Sequence, residues 1–287
     1  MNTPQAKDIL LLNLAMLFVS TSGVLGRYIS MPPEITIFWR AGVAAILLLG
    51  ICSWQRVRLF ENLKGNLGIF FAGGFLMMAH WVTYFYALQW SNVAIGMLSL
   101  FTYPVITSIL EPVLLGTKFQ KMHLFLGLLT LVGIYFLVPD VDFSGSNIKA
   151  VGLGTLSAIC YALRNILMKK KIQEHNGTKL MFFQTLTIAV LLLPFVAIEG
   201  VGNIAEQWQA ILFLALFTTV IGHTMFLVSL KRFSITSASI MSCTQPIFGI
   251  LLGAVFLGEY PVWTTYIGGG LILLSVVIES LSFRKTS

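Results

Sequence analysis

Seven side chains in a strongly apolar chain of 287 residues have types and spacings that could bind or move a small molecule: Arg40, His80, Trp81, Tyr84, Tyr103, His223 and Gln245. Met77, His80, Tyr84 and Leu88 recur at helical spacing and share one face, with Trp81 beside it. That face offers aromatic rings and polar tips, either as a cavity wall or as packed interior. Histidine titrates near physiological pH, so His80 and His223 are candidates for carrying a proton or touching cargo, against a plain hydrogen bond to a neighbouring helix. The Arg40 guanidinium has the fork geometry that suits a carboxylate. Tyr103 and Gln245 stand immediately before Pro104 and Pro246. Each proline removes a backbone donor, so a helix kink with polar groups beside it is expected at both places. The spacing of His, Cys, Asp and Glu matches no metal motif, and neither a metal nor a cofactor is expected.

These residues need elements to hold them, and composition says which. Apolar residues are 57% of the chain, charged residues 10%, and the mean hydropathy is +0.87. So few charges cannot cover a water-exposed surface, which makes this an all-α membrane protein embedded in a lipid bilayer. Ten apolar runs are long enough to span: 8–29, 34–54, 66–88, 93–116, 122–138, 150–169, 179–198, 209–230, 236–257 and 263–283. Their punctuation is Met31-Pro32-Pro33, Gly116-Thr117-Lys118, Pro139-Asp140 and Gly258-Glu259-Tyr260-Pro261. The first run reads as a retained helix rather than a signal peptide. Cys52, Cys160 and Cys243 each lie in an apolar run and are expected to be free and buried.

Of the eighteen basic residues, fourteen fall on one side of this topology, and Arg27 and Lys149 on the other. Arg40 and Arg164 lie within spans. The positive-inside rule makes the rich side cytoplasmic, with both termini inside. The formal net charge of +7 is thus orientation charge, and no nucleic-acid partner is expected. Asn176-Gly177-Thr178 has the form of a glycosylation acceptor but falls in the most basic loop.

A shift of 142 aligns residues 87–135 with 229–277 without a gap. Thr102-Tyr103-Pro104 meets Thr244-Gln245-Pro246, Leu115-Gly116 meets Leu257-Gly258, and Gly127 meets Gly269. Under the same shift Trp81 meets His223 and His80 meets Gly222. Each half holds five spans, an odd number, so the second half enters from the opposite side. The expectation is two inverted five-helix repeats, 1–143 and 144–287, with substrate held between them near the midplane.

Two five-span halves, each with a Pro-bearing helix, Leu-Gly and a Gly-rich helix, resemble the EamA-type family of the drug/metabolite transporter superfamily. The stretch Gln245-Pro246 … Phe256-Leu257-Gly258-Glu259 … Gly268-Gly269 and the pair Phe38-x-Arg40 carry the likeness, and Thr117 departs from it where many members have Glu. The resemblance implies alternating access, a cavity lined by spans 1, 3, 4, 6, 8 and 9, and export of a small metabolite such as an amino acid.

The expectation is therefore a secondary transporter of a small-molecule substrate in the plasma membrane (the inner membrane in a bacterium). It is not an enzyme, and proton coupling is left open. Uptake or exchange is the alternative. An intramembrane enzyme lacks its HExxH, GxSG or paired aspartates, and a pore lacks its charge ring or filter. Oligomeric state has no signal in the sequence. Arg40, about 9 Å inside span 2, either meets substrate or snorkels to the surface. Glu111, Arg164 and Glu279, nearer the basic ends, are expected to snorkel or pair locally. Trp39 is expected at the membrane interface, and Gly249-x-x-x-Gly253 at a close helix contact.

Overall fold

In hydrocarbon each backbone N–H and C=O needs a partner within the protein, so apolar runs of this length must be helical. The structure, a computed structural model, describes residues 6–61, 63, 65–91, 93–137, 146–257 and 262–285, and these are helical with short connections. In chain order the helices are α1 (Ala6–Tyr28), α2 (Pro33–Trp54), α3 (Leu67–Trp90), α4 (Val93–Leu100), α5 (Tyr103–Leu115), α6 (Lys121–Leu137), α7 (Ser146–Glu174) and α8 (Gly177–Glu199). There follow α9 (Ile204–Phe213), a π-helical segment (Leu214–His223), α10 (Thr224–Ser229), α11 (Ile235–Met241), α12 (Thr244–Leu257) and α13 (Trp263–Lys285). Among the described residues nine helical stretches are long and apolar enough to cross a membrane, and Lys121–Phe136 is a shorter apolar helix. Its expected end at 138, and the stops at Pro139-Asp140 and 258–261, lie outside the described residues, as do the contacts expected at Gly253.

Local sequence sets the helix ends. Pro33 opens α2 with its φ already helical and Glu34 follows in the first turn. Gly116 closes α5 in the left-handed conformation, φ 67°, with its N–H on the Pro112 carbonyl. Asn176 accepts from the N–H groups of Thr178 and Lys179 at 2.8 and 3.4 Å, so the glycosylation-like triplet is the N-cap of α8.

Two spans are interrupted. α4 gives way to α5 through a turn at Phe101–Thr102, and α11 to α12 through a turn at Ser242–Cys243. The sequence led us to expect kinks at Pro104 and Pro246. Instead each proline sits in the first turn of a new helix, and the break falls just before it. Proline costs least there, because first-turn N–H groups have no helical partner anyway.

α3 packs on α7 and α8, α2 on α8, α6 on α13, α1 on the π-helical segment and α12, and α5 on α7 and α11. Gly222 sets the α1 contact: a Cβ there would stand 2.8 Å from Val19 Cγ2 and 3.2 Å from the Val19 backbone N.

The connection between α10 and α11 is fixed by two charged side chains, buried Glu111 and half-buried Lys169. Glu111 accepts from the N–H groups of Ile235 and Thr236 at 3.0 and 2.7 Å and from the Thr236 hydroxyl at 2.6 Å. Lys169 donates to the carbonyls of Leu230 and Phe233. Glu111 therefore pairs locally rather than snorkelling. Glu279, 1% exposed, does not snorkel either: its Oε1 stands 3.3 Å from His123 Nε2, a close contact without hydrogen-bond geometry. Replacing Glu111 by Ala strands three buried donors. We expect a loss of about 1.5–3 kcal/mol, the range for hydrogen bonds to a charged group, measurable as a fall in unfolding midpoint in detergent. Glu111→Gln, which keeps one acceptor oxygen, should lose less.

Candidate functional site

Where α1, α3, α7, the π-helical segment and the two interrupted spans meet, aromatic and polar side chains enclose a cavity. It is lined by Val19, Ser22, His80, Trp81, Tyr84, Leu100, Phe101, Tyr103, Tyr161, His223 and Gln245. Six of the seven side chains singled out from sequence are in that lining. The seventh, Arg40, lies against one of them, its guanidinium carbon 3.8 Å from the centroid of Trp81.

Tyr161 of α7 is the hub. Its ring stacks on His80 at 4.4 Å and on Phe226 at 5.9 Å, and meets Tyr103 edge-on at 5.2 Å and His223 at 6.4 Å. Trp81 lies 5.3 Å from His223. The spacing of Met77, His80, Tyr84 and Leu88 did make one buried face. The free volume is about 20 Å³, room for about one water. The site is thus closed in this conformation, and any metabolite needs the walls to part.

The polar atoms divide into partnered and unpartnered. Ser157 donates its hydroxyl proton to the His80 carbonyl at 2.9 Å while its oxygen lies 2.7 Å from His80 Nδ1. With that proton committed, Nδ1 is the donor of the second bond, which leaves Nε2 as the ring's acceptor. Tyr103 bonds the Ser239 carbonyl at 3.1 Å and the Ser242 hydroxyl, so one interrupted span grips the other beside its break. Trp81 Nε1, the Tyr84 hydroxyl and His223 Nδ1 have no partner among the described residues. Each such buried group costs about 1–3 kcal/mol until something satisfies it.

Arg40 is wholly buried, so it does not snorkel. Nε donates to Thr219 Oγ1 at 2.7 Å, and Nη1 and Nη2 have no partner among the described residues. The Trp81 face supplies the remaining stabilisation, worth about 2 kcal/mol for a desolvated cation. Arg164 is likewise wholly buried, and its partners are neutral: Gln184 Oε1 at 2.6 Å, Asn165 Oδ1 at 2.9 Å and Met181 Sδ at 3.7 Å. Trp39, half-buried, donates to the Val201 carbonyl at 3.0 Å. The cysteines are free and buried, and no group of three or more metal-ligating side chains occurs among the described residues. A larger depression of about 340 Å³ lies between α1 and α10, beside Asp8, Lys231 and Arg232. It is lined by none of the rings above.

Sequence reasoning missed Tyr161, Ser157 and Thr219. Tyr161 had one signal: the shift of 142 places it on Val19, and both line the cavity.

The fold is thus a bundle of membrane-spanning helices, two of them interrupted, around a closed aromatic chamber. The chain matches the EamA-like transporter family over residues 6–138 and 148–281, and it belongs to that family, within the drug/metabolite transporter superfamily. It is a multi-pass membrane protein and a transporter. It is 25% identical over 293 residues to the uncharacterized inner membrane transporter YicL of Salmonella typhimurium, covering 97% of each chain. It is 22% identical over 256 residues to a pseudopaline exporter of Pseudomonas aeruginosa, covering 88% of this chain and 87% of the other. A solved crystal structure superposes with a TM-score of 0.83 over 99% of this chain and 100% of that one, at 16% identity, which shows the shared fold.

Removing the hub ring should cost both stability and activity. Tyr161→Ala is expected to lower stability by about 3–5 kcal/mol, as buried aromatic truncations do. Tyr161→Phe should retain it. Thermal unfolding of the two purified variants in detergent checks the difference.

Proposed function

We propose that the protein is a secondary transporter that exports a small metabolite across the plasma membrane, the inner membrane in a bacterium, by alternating access. The chamber around Tyr161 is its binding site, and both termini are cytoplasmic. The halves 1–143 and 144–287 are inverted repeats of five spans each, ten in all. Arg40, His80, Trp81, Tyr84, Tyr103, His223 and Gln245 contact the cargo or gate it.

The observation that carries most weight is the convergence of these side chains, from distant parts of the sequence, on one buried cavity. Helix pairing adds support. Exchanging spans one to five with six to ten returns the largest contacts: α3 with α7 becomes the π-helical segment with α1, and α2 with α8 maps to itself. The exporter among the relatives supports the direction, and the fourteen basic residues of one face support the orientation.

The conformation is read as closed at the basic face. There α5 and α11 pack together, tied by Glu111, whereas α4 packs on α7 and α12 on α1. Switching would reorient the half-spans about the breaks at Phe101–Thr102 and Ser242–Cys243.

Two experiments test this. Reporter fusions near residue 174 and after 285 should report cytoplasm, and one at 144 the outside. External activity of the fusion at 174 would overturn the orientation. Replacing Pro104 or Pro246 by Ala lets the helix run through its break. Saturable counterflow in liposomes should then fall about tenfold, equivalent to ~1.4 kcal/mol of barrier, with assembly retained. Normal counterflow in both variants would remove the breaks from the mechanism.

A further inference from the structure

The chamber has an electrostatic sign. Arg40 and Arg164 are both wholly buried, and both lie within electrostatic reach of His223 along with His80. Neither guanidinium has a carboxylate partner among the described residues. The buried acids of the described residues are engaged elsewhere: Glu34 with the Tyr86 hydroxyl, Glu111 with the start of α11, Glu279 with His123. Among the described residues no acidic side chain lines the cavity.

The unpartnered atoms point the same way. Arg40 Nη1 and Nη2 and the Trp81 indole N–H can only donate. The Tyr84 hydroxyl and His223 Nδ1 can also donate. A buried cation is stable when paired, and donors are stable when bonded, yet this set has neither among the described residues. What is missing is an acceptor-rich negative group. Of the remaining walls, Val19, Leu100, Phe101, Tyr103 and Tyr161 offer rings and apolar surface to the rest of such a molecule, beside the polar Ser22, His80 and Gln245.

We infer that the cargo is an organic anion, a carboxylate on an aromatic or apolar body, and that Arg40 is its counter-charge. The inference rests on the transporter reading above and narrows it. When the walls part to admit cargo, the carboxylate takes the two free guanidinium nitrogens, with the Trp81, Tyr84 and His223 donors around it. Bidentate pairing of this kind distinguishes a carboxylate from an amide or an amine. A cationic cargo would enter a site already carrying two uncompensated positive charges and is rejected.

The probes are phenylacetate, phenylacetamide and phenylethylamine, which share a ring and a chain of similar length but are anionic, neutral and cationic. Binding is read from thermal stabilisation of the purified full chain, and transport, separately, from counterflow in liposomes. Phenylacetate should stabilise the protein, the amide weakly and the amine not at all. Arg40→Gln should weaken phenylacetate about 10- to 100-fold, the loss of a hydrogen-bonded charge. Arg40→Lys keeps the charge without the fork, and should keep the order of preference at reduced affinity. It also serves as the folded control if the Gln variant does not assemble. The inference is overturned if phenylethylamine binds as well as phenylacetate, if no phenylacetate binding occurs, or if Arg40→Gln binds it like the parent. Counterflow of the amine or amide without the anion would leave transport standing and remove the anion. Phenylacetate binding without counterflow of any probe would do the reverse.

Discussion

Lipid offers no hydrogen bonds, and the architecture follows from how the chain meets that constraint wherever its helices stop. A break in a spanning helix exposes backbone groups that only the protein can satisfy. Hence both breaks face inward, one linked to the other through Tyr103 on the Ser239 carbonyl and the Ser242 hydroxyl. Hence too the α10–α11 connection takes a carboxylate on its N–H groups and an ammonium on its carbonyls. Glu111 meets the positive end of α11 and Lys169 the negative end of α10, each with the sign the helix dipole favours. Buried Glu34 and Glu279 instead meet side chains, Tyr86 and His123, and two buried cations are the exceptions that meet neither backbone nor a carboxylate among the described residues.

Those exceptions, Arg40 and Arg164, give the interior its character. Arg164 is surrounded by neutral acceptors that satisfy its geometry without cancelling its charge. Arg40 has one hydrogen bond and an aromatic face. A cation held this way is tolerated, and its two free N–H edges remain available. The rings around Tyr161 do the complementary task. They close the volume almost completely, so the donors are shielded from bulk water and an interaction there is stronger than at the surface. Packing and electrostatics thus act on the same atoms: the indole that carries the guanidinium also walls the cavity.

Much of this was legible in the chain before any coordinates. Apolar length located the helices, because hydrocarbon thickness is a fixed ruler. Helical spacing put His80, Trp81 and Tyr84 together, and the 142-residue correspondence drew Tyr103, Gln245 and His223 toward the same place. Tyr161 was overlooked because a tyrosine in an apolar helix has no local signature, and its importance lies in rings contributed by α3, α5 and α10. Arg40 could not be settled by depth alone, since an arginine at about 9 Å either reaches the surface or finds an interior partner. The deciding contact, Trp81, lies 41 positions away. The prolines were read as kinks because sequence shows the missing donor. The break falls before each one because a first-turn position costs proline nothing. Nothing in Leu214–His223 announced π-helical geometry. The structure ties it to Thr219, which bonds the carbonyl of Leu214 five residues back and accepts Arg40 on the same oxygen.

That last arrangement joins the helix geometry to the site. Wider turns are uncommon and cluster where function needs a side chain re-aimed. Here the wide turn carries Thr219 toward α2 and ends at His223, at the cavity. Gly222, one residue earlier, lets α1 lie close enough for Val19 to form the opposing wall. A tighter helix would turn either Thr219 or His223 away, since each residue removed from a turn rotates everything beyond it by about 100°. On the transport reading, the same span that holds the counter-charge in place also presents the unpartnered imidazole. Relaxing the π-helical segment into α-helix would release Arg40 from Thr219 and move His223 out of the chamber in one motion.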